Sequence, residues 1–319
     1  MKSKLQCTAI LLFFCLVAVA QKDTCKVGIY VNHIYDINLD EKSYMIDFWM
    51  WMNYKNDSLN FENKQDITNS KSIEFSHYTK EKKNNTNWVA QKCKAQIMQQ
   101  WNVSNFPFDK QKLHLIIEDA EKDSSQIIYQ ADTLNSKPDP TFINAEWSIE
   151  SFTMQQHINT YATTYGNPAL SGSSAYPGIM AEIIIKRNHS WLLLLKLLTG
   201  AYVAFLISSL VFFLSSENQD SRFGLCVGGL FAAIGNKYIT ESVVPASNTT
   251  TLMDNVHNLT FGFILLIVVI SIITLRLYQS EDDNKRNLSL KIDRTSFWFV
   301  LLSYVVINIL LVVFAFNNI

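Results

Sequence analysis

The chain has 319 residues, which is enough for one large domain or two ordinary ones. Its formal net charge of -1 argues against nucleic acid as a partner, because proteins that bind phosphate backbones are strongly basic. Hydrophobic residues make up 48% of the chain and are unevenly spread: residues 21–189 have the composition of a soluble domain, and residues 190–319 that of a membrane domain.

Residues 1–20 are predicted to be a secretory signal peptide. Lys2 and Lys4 precede the apolar run Ala9–Val19, and Ala18–Ala20 fits an A-x-A cleavage site. The alternative is a first membrane anchor, which is disfavoured because the run is shorter than the ~20 residues that cross a bilayer. The mature chain is then expected to begin at Gln21, in the extracellular or periplasmic space.

Residues 21–189 are predicted to form an all-β sandwich. Several runs are rich in β-branched and aromatic residues and are separated by clusters of Asn, Asp, Gly and Pro. The runs are 26–35, 43–54, 113–119, 147–154 and 180–187. Many short strands with such turns are typical of a sandwich. Trp88–Val103 fits either a strand or a short helix.

The stretch Asn105–Leu113 reads NFPFDKQKL, and it places two aromatic residues around a proline. An X-Pro bond favours a tight turn, and large aromatic side chains are stabilised by apolar contacts. The stretch is therefore predicted to be a loop that rests on the membrane or on helices at its surface.

Residues 190–319 contain four predicted spans of about 20 residues each. The spans are 191–214, 222–244, 257–278 and 296–316. The connection 279–295 carries Lys285, Arg286, Lys291 and Arg294, whereas 245–256 carries no Lys or Arg. The positive-inside rule then places 279–295 in the cytoplasm and both the N-terminal domain and the C-terminus outside.

The second predicted span has one face of small and polar residues. Steps of four and three residues along a helix give the stripe Gly224, Gly228, Phe231, Gly235, Tyr238 and Ser242. Such residues inside a membrane usually contact protein or water, so the stripe either packs in a bundle or lines a pore. Lys237 and Glu241 lie four residues apart on a flank and are predicted to pair.

The sequence predicts neither an enzyme nor a cofactor or metal site. It contains no C-x-x-C, H-E-x-x-H, G-x-S-x-G or phosphate-loop motif, and the six histidines are scattered singly. Three cysteines follow the predicted signal peptide, namely Cys25, Cys93 and Cys226.

Several stretches together resemble the pentameric ligand-gated ion channels, the Cys-loop receptor superfamily. NFPFDKQKL is similar to that family's F-P-F-D-x-Q loop, and AEWSIESF (145–152) and YVNHIYDINLDEKSY (30–44) resemble two of its strand segments. IIIKRN precedes the first span, as in the family, and ESVVP resembles the outer end of its pore helix. The resemblance covers most of the mature chain. It implies an extracellular all-β sandwich, a four-helix transmembrane domain and a homopentamer around a central pore in the lipid bilayer.

The resemblance also implies roles for single residues. Phe106 and Phe108 would rest on the membrane helices, and Asp109 would pair with Arg187. The coupling interface implied in this way between the two domains comprises Asp40, Glu41, Phe106, Pro107, Phe108, Asp109, Arg187 and Pro245. The pore would be lined by the stripe, with Phe231 at the gate and Asp220 in an acidic ring at the inner mouth. Acidic rings favour permeant inorganic cations. Phe231 as plain packing is the alternative.

A ligand site between subunits is implied by the same resemblance. Its candidate residues are Trp49, Glu118, Asp119, Glu121, Tyr165 and Tyr176. Aromatic rings with carboxylates can hold a small amine by cation–π attraction and charge. Protons or divalent cations are alternative agonists. The competing interpretation is that the tyrosines belong to the core and the acids to a solvated turn.

The chain departs from the family pattern at its disulfide, because the positions that the resemblance implies for it hold Gln99 and Leu113, as in bacterial homologues. Cys25 and Cys93 each lie about fifteen residues before a loop expected at the base of the sandwich, so a bond between them is hypothesised. Three functions stay open: a gated channel, a non-conducting or anion-selective subunit on the same fold, and a membrane-anchored binding protein.

Overall fold

A computed structural model describes residues 22–141, 145–168, 171–244 and 249–317. In these residues a β-rich part precedes a helical part, which confirms the predicted order. The predicted signal peptide, residues 1–20, and Pro245 lie outside the described residues.

Two sheets form the β-rich part. The first has the strand order β4–β5–β2–β1–β7, with β8 paired to β1, and the second has the order β3–β6–β10–β9. The first sheet contains β1 Asp23–Asn38, β2 Ser43–Tyr54, β4 Ser70–Lys83, β5 Thr86–Met98, β7 Ile127–Ala131 and β8 Lys137–Pro138. The second contains β3 Gln65–Ile67, β6 Lys110–Asp119, β9 Trp147–Tyr161 and β10 Ser174–Arg187.

The two sheets face each other across one hydrophobic core. Along β2 every second residue is buried, so that Ile46 and Phe48 point inward while the residues between them stay half-buried. They share the core with Leu115 of β6 and Ile183 of β10. Each predicted strand run overlaps an observed strand, and Trp88–Val103 holds β5 rather than a helix.

The hypothesised Cys25–Cys93 disulfide is wrong, because both cysteines are free and buried. Cys25 pairs with Tyr54 of β2, and Cys93 pairs with Phe48 on the other side of the same strand. Six residues of strand separate those two positions, or ~20 Å, whereas a disulfide needs Cα atoms within about 7 Å.

Four α-helices follow in the described residues. They are α1 Ser190–Ser209, which continues into the 3-10 helix Leu210–Phe213, α2 Gln219–Glu241, α3 Leu252–Tyr278 and α4 Asp283–Asn317. A capping box between Thr251 and Asp254 starts α3 earlier than the predicted residue 257. Helix α4 starts well before the predicted residue 296, so most of the predicted connection 279–295 is helical.

Three of these helical stretches are long and apolar enough to cross a membrane: Ser190–Phe213, Leu252–Tyr278 and Asp283–Asn317. Helix α2 has 23 residues, which is long enough, but it is not among them. It packs against α1 and α3. Helix α2, the least apolar of the four, is therefore flanked by the more apolar helices α1 and α3.

Candidate functional site

Helix α2 has one packed face and one open face. The buried residues recur at steps of four, three and seven and form a single stripe, namely Arg222, Cys226, Gly229, Ala233 and Thr240. Asp220 and the six residues of the predicted stripe are all exposed. Phe231 and Tyr238 are 69% and 70% exposed. The two stripes lie about 200° apart around the helix, so the predicted stripe points away from the bundle.

The glycines on the two faces of α2 differ in the space around them. A Cβ atom added at Gly224, Gly228 or Gly235 meets nothing within 4 Å. A Cβ atom at Gly229 would overlap the Ser208 hydroxyl of α1. Close helix packing therefore uses Gly229, and the three glycines of the predicted stripe do not pack against any other described residue.

An ion pair is buried at the first turn of α2. The Arg222 side chain is 2% exposed, and its Nη2 lies 2.5 Å from Oδ2 of Asp293 in α4. Its guanidinium also donates to Thr274 Oγ1 at 3.0 Å and to the Leu214 carbonyl oxygen at 2.5 Å. Asp220, two residues earlier, is exposed, as is Glu217. The open face at this end therefore carries acidic groups, and the basic group is turned inward.

The Asn236 side chain joins α2 to α1 near the other end. Its carboxamide oxygen accepts the Ala201 N–H at 3.0 Å, and its nitrogen donates to the Leu197 carbonyl at 3.0 Å. In an uninterrupted α-helix, the Ala201 N–H and the Leu197 carbonyl would form a hydrogen bond with each other, because they are four residues apart. His257 of α3 also contacts Asn236 Oδ1 through Nε2, at 3.0 Å. The polar residue is thus held between three helices.

The predicted Asp109–Arg187 pair is present where the β-rich part meets the helices. Arg187 Nε lies 3.1 Å from Asp109 Oδ1, and the two side chains are 9% and 1% exposed. The Arg187 guanidinium stacks over the rings of Phe106 at 4.8 Å and Trp147 at 4.2 Å. Gln111 donates a further hydrogen bond to Asp109 Oδ2 at 2.8 Å. Burial, charge and stacking together hold this loop to the last strand before α1.

The loop 105–109 rests on the helices, as predicted. The Phe108 ring lies 4.8 Å from that of Trp191 in α1 and 5.7 Å from that of Phe316 in α4. Phe106 and Phe108 share one hydrophobic cluster with Leu198 of α1 and residues at the start of α3. The Leu252 N–H donates to the Ser104 carbonyl at 2.9 Å, and the Phe106–Pro107 bond is cis. The side chains of this loop and the backbone just before it thus contact three helices.

Asp40 and Glu41 face a different part of the junction. They line a cavity of about 1030 Å³ between the β1–β2 turn and the ends of the helices. Lys237 and Glu241 of α2 and His257 of α3 line the same cavity. Lys237 and Glu241 pair at 3.6 Å, as predicted. The turn therefore approaches the C-terminal end of α2, while the Asp109–Arg187 pair lies beside the start of α1.

A cluster of tyrosines lies at one end of the second sheet. The ring of Tyr161 is 5.6 Å from that of Tyr165 and 5.9 Å from that of Tyr176. The Tyr161 hydroxyl donates to the buried Glu118 at 3.0 Å, and the Asn159 amide donates to Glu118 at 2.5 Å. Burial raises the pKa of Glu118, against these hydrogen bonds, which lower it. Aromatic faces beside a carboxylate suit a small cation.

The other candidate ligand residues are not part of this cluster. Asp119 is buried, where it accepts the Tyr129 hydroxyl at 2.8 Å. Glu121 pairs with Lys64 at 2.8 Å. Trp49 lies on the other sheet, with its ring 6.3 Å from that of His77. The structure therefore brings together three of the six candidates, Glu118, Tyr165 and Tyr176. It adds Tyr161, which the sequence analysis does not predict. Tyr161 is the last residue of β9, which pairs with β10, the strand that contains Tyr176.

In comparisons with known proteins, no family model and no curated protein sequence matches this chain. Within the described ranges, no group of three His, Cys, Asp or Glu residues is placed to hold a metal ion. Three features of the described residues bear on function: the open face of α2, the junction between the two parts and the tyrosine cluster.

Proposed function

We propose that this chain is a subunit of a ligand-gated, cation-selective ion channel of the pentameric type, with α2 as the lining of the pore. The observation that carries the proposal is the open face of α2. Its central stripe, from Gly224 to Ser242, is small and polar apart from two aromatic residues, although apolar residues such as Val227 and Ile239 are exposed beside it. The stripe points away from a bundle whose other helices are apolar enough to meet lipid.

A helix with this division of faces suits a water-filled channel. Its 23 residues extend about 34 Å, which exceeds the ~30 Å hydrocarbon core of a bilayer. Intramembrane polar residues usually face protein or water rather than lipid. When several copies are arranged around an axis with closed cyclic symmetry, the open faces line a common pore and the apolar helices surround them.

Two positions on the open face have distinct proposed roles. Phe231 lies near the middle of α2, and a ring of its side chains forms a hydrophobic constriction that closes by dewetting. Asp220 lies in the first turn, and a ring of exposed carboxylates at that mouth favours cations. Residues 21–189 are proposed to lie outside the membrane, with all four helices crossing it.

The agonist proposed for this channel is a small cation. Glu118 and the three tyrosines supply one wall of its site. Trp49 lies on the other sheet and is proposed to supply the opposite wall from a neighbouring subunit. The Asp109–Arg187 junction and the β1–β2 turn then connect the sandwich to α1 and α2.

Currents across bilayers that contain the purified protein test the proposal. We expect them to appear in a screen of small amines and of acidic pH. In the variant Gly228→Cys a water-soluble thiol reagent should block these currents, because this position faces open space.

The matched control is Ala233→Cys on the packed face, where the native side chain is fully buried. It should resist the same reagent. Equal reaction of the two cysteines, or the absence of current under every condition of the screen, would contradict the proposed function.

A further inference from the structure

The buried pair at the first turn of α2 places a positive charge beside the proposed inner mouth of the pore. Arg222 follows Asp220 by two residues, and the proposed assembly would repeat both in every subunit. An uncompensated guanidinium there would oppose the effect of the acidic ring, because charges interact strongly where little water screens them. The sign of the field at this mouth therefore depends on what Arg222 contacts.

Among the described residues, the hydrogen-bond partners of the Arg222 side chain all lie outside α2. Asp293 of α4 accepts from both terminal nitrogens of the guanidinium, at 3.3 and 2.5 Å. Thr274 of α3 and the Leu214 carbonyl, which precedes α2, accept from the same two nitrogens. A carboxylate that receives two parallel N–H donors fixes both the position and the plane of a guanidinium. Among these partners, Asp293 alone carries a negative charge.

Asp293 is itself held in place by hydroxyl groups. The Ser216 hydroxyl donates to Asp293 Oδ2 at 2.9 Å and lies 3.2 Å from the Ser289 hydroxyl. Ser289 in turn donates to the Thr274 carbonyl at 2.8 Å. The Asp293 side chain is 6% exposed. Its carboxylate therefore has a defined position between α2, α3 and α4.

We infer that Asp293 is a positioning residue for charge selectivity, which it supports by holding Arg222 inside the helix bundle and cancelling its charge. The inference rests on the proposed function, because it assigns a determinant of selectivity to that pore. The acidic groups Glu217 and Asp220 are then the charged side chains left exposed near the start of α2.

Reversal potentials in a sodium chloride gradient test this role. In Asp293→Asn each subunit gains one uncompensated positive charge, so we expect the cation-to-anion permeability ratio to fall by about threefold or more. The double variant Arg222→Gln with Asp293→Asn removes that charge and should keep the wild-type ratio. Asp283→Asn, at an exposed acid of the same helix, is the matched control and should leave the ratio unchanged.

The inference can also be tested by chemical modification, which does not require that the protein conduct a current. An arginine-specific dicarbonyl reagent, applied to the purified wild-type protein and read by mass spectrometry, should modify the exposed Arg294 and spare Arg222. Asp293→Asn, where it assembles, should increase modification of Arg222. A wild-type protein without current would overturn the proposed function and leave this measurement intact.

Three results would overturn the inference itself. The first is an Asp293→Asn channel with the wild-type permeability ratio, and the second is a double variant shifted as far as the single one. The third is wild-type Arg222 that reacts as fast as Arg294.

Discussion

Two buried Arg–Asp pairs lie at opposite ends of the helical part of the molecule, and their surroundings differ. Arg187 at the junction is covered on its faces by the rings of Phe106 and Trp147. Arg222 at the far end is instead bound along its edge by a hydroxyl and a backbone carbonyl. The first pair relies on a planar cation against aromatic faces, and the second on a set of directed hydrogen bonds.

The difference shows how a buried charge can be retained for two purposes. A buried ion pair adds little net stability over apolar residues of the same volume, but the loss of one partner leaves an uncompensated charge. At the junction the pair holds the loop 105–109, which rests on the helices, to the last strand before α1. At the far end it removes a charge from the open face of α2. Between them the neutral Asn236 contact joins α1 to α2 without any charge.

The largest expected effect comes from breaking the junction pair. Asp109→Ala leaves Arg187 buried without its carboxylate, and we expect the free energy of unfolding to fall by about 3–5 kcal/mol. Denaturant unfolding of the detergent-solubilised protein measures this change. Glu150→Ala is the control, because it breaks the more exposed Lys110–Glu150 pair and should cost about 1 kcal/mol or less. Equal losses in the two variants would remove the distinction between buried and exposed pairs.

A smaller effect is expected at the neutral contact. A Cβ atom at Gly200 would lie 2.7 Å from Asn236 Nδ2, so Gly200→Ala should lower the free energy of unfolding by about 1–3 kcal/mol. In an Asn236→Ala background the same substitution should cost less, because the contacts with Nδ2 and Cγ are gone and only the contact with the Cβ atom of residue 236, at 2.9 Å, is left. The coupling energy from this double-mutant cycle is the measurement.

Gly262→Ala is the matched control for this cycle, since a Cβ atom there meets nothing within 4 Å. It should be neutral or stabilising in both backgrounds, because alanine is a better helix former than glycine. Additive effects of Gly200→Ala and Asn236→Ala would contradict the proposed contact.

The smallest effect concerns a buried carboxylate held without a guanidinium. Glu118 accepts from an amide and a phenol, and burial raises its pKa above the ordinary value of 4.5. A raised pKa means that the folded state binds the proton more tightly than the unfolded chain. Glu118 therefore contributes most to the free energy of unfolding at a pH below its ordinary pKa. This contribution is lost as the pH rises through the raised pKa of the folded state.

Glu118→Gln removes this titration. The difference in thermal unfolding midpoint, wild type minus variant, should fall as the pH rises through that window. Glu121→Gln is the control for loss of a carboxylate at a neighbouring surface position that pairs with Lys64. A difference for Glu118→Gln that is flat with pH would rule out the assigned burial effect.

Much of the fold could be predicted because burial shapes the local sequence. The alternation along Ser43–Tyr54 marks β2 to its ends, and the open face of α2 follows from residue type and helical spacing. β4 was not predicted, because it is a largely exposed edge strand whose sequence is polar. A strand that buries little leaves little periodicity to detect.

The candidate site was predicted less completely, because its contacts join distant segments. Asp109 and Arg187 were paired through a resemblance, whereas Asp293 fell in a stretch with the composition of a charged loop. One signal was available: residues 283–317 contain no Gly or Pro, so nothing in the sequence ends a helix there. Asn236 and His257 carried a second signal, as polar residues inside apolar spans. Neither signal identifies a partner.

The contact between Asn236 and α1 has a consequence for the evolution of this chain. The amide occupies the space where any side chain at position 200 would begin, and it bonds two backbone groups whatever side chains their residues carry. Positions 200 and 236 are therefore expected to vary together in descendants of this sequence. A larger residue should be accepted at 200 only in lineages where 236 has first become smaller, while Leu197 and Ala201 are free of this constraint.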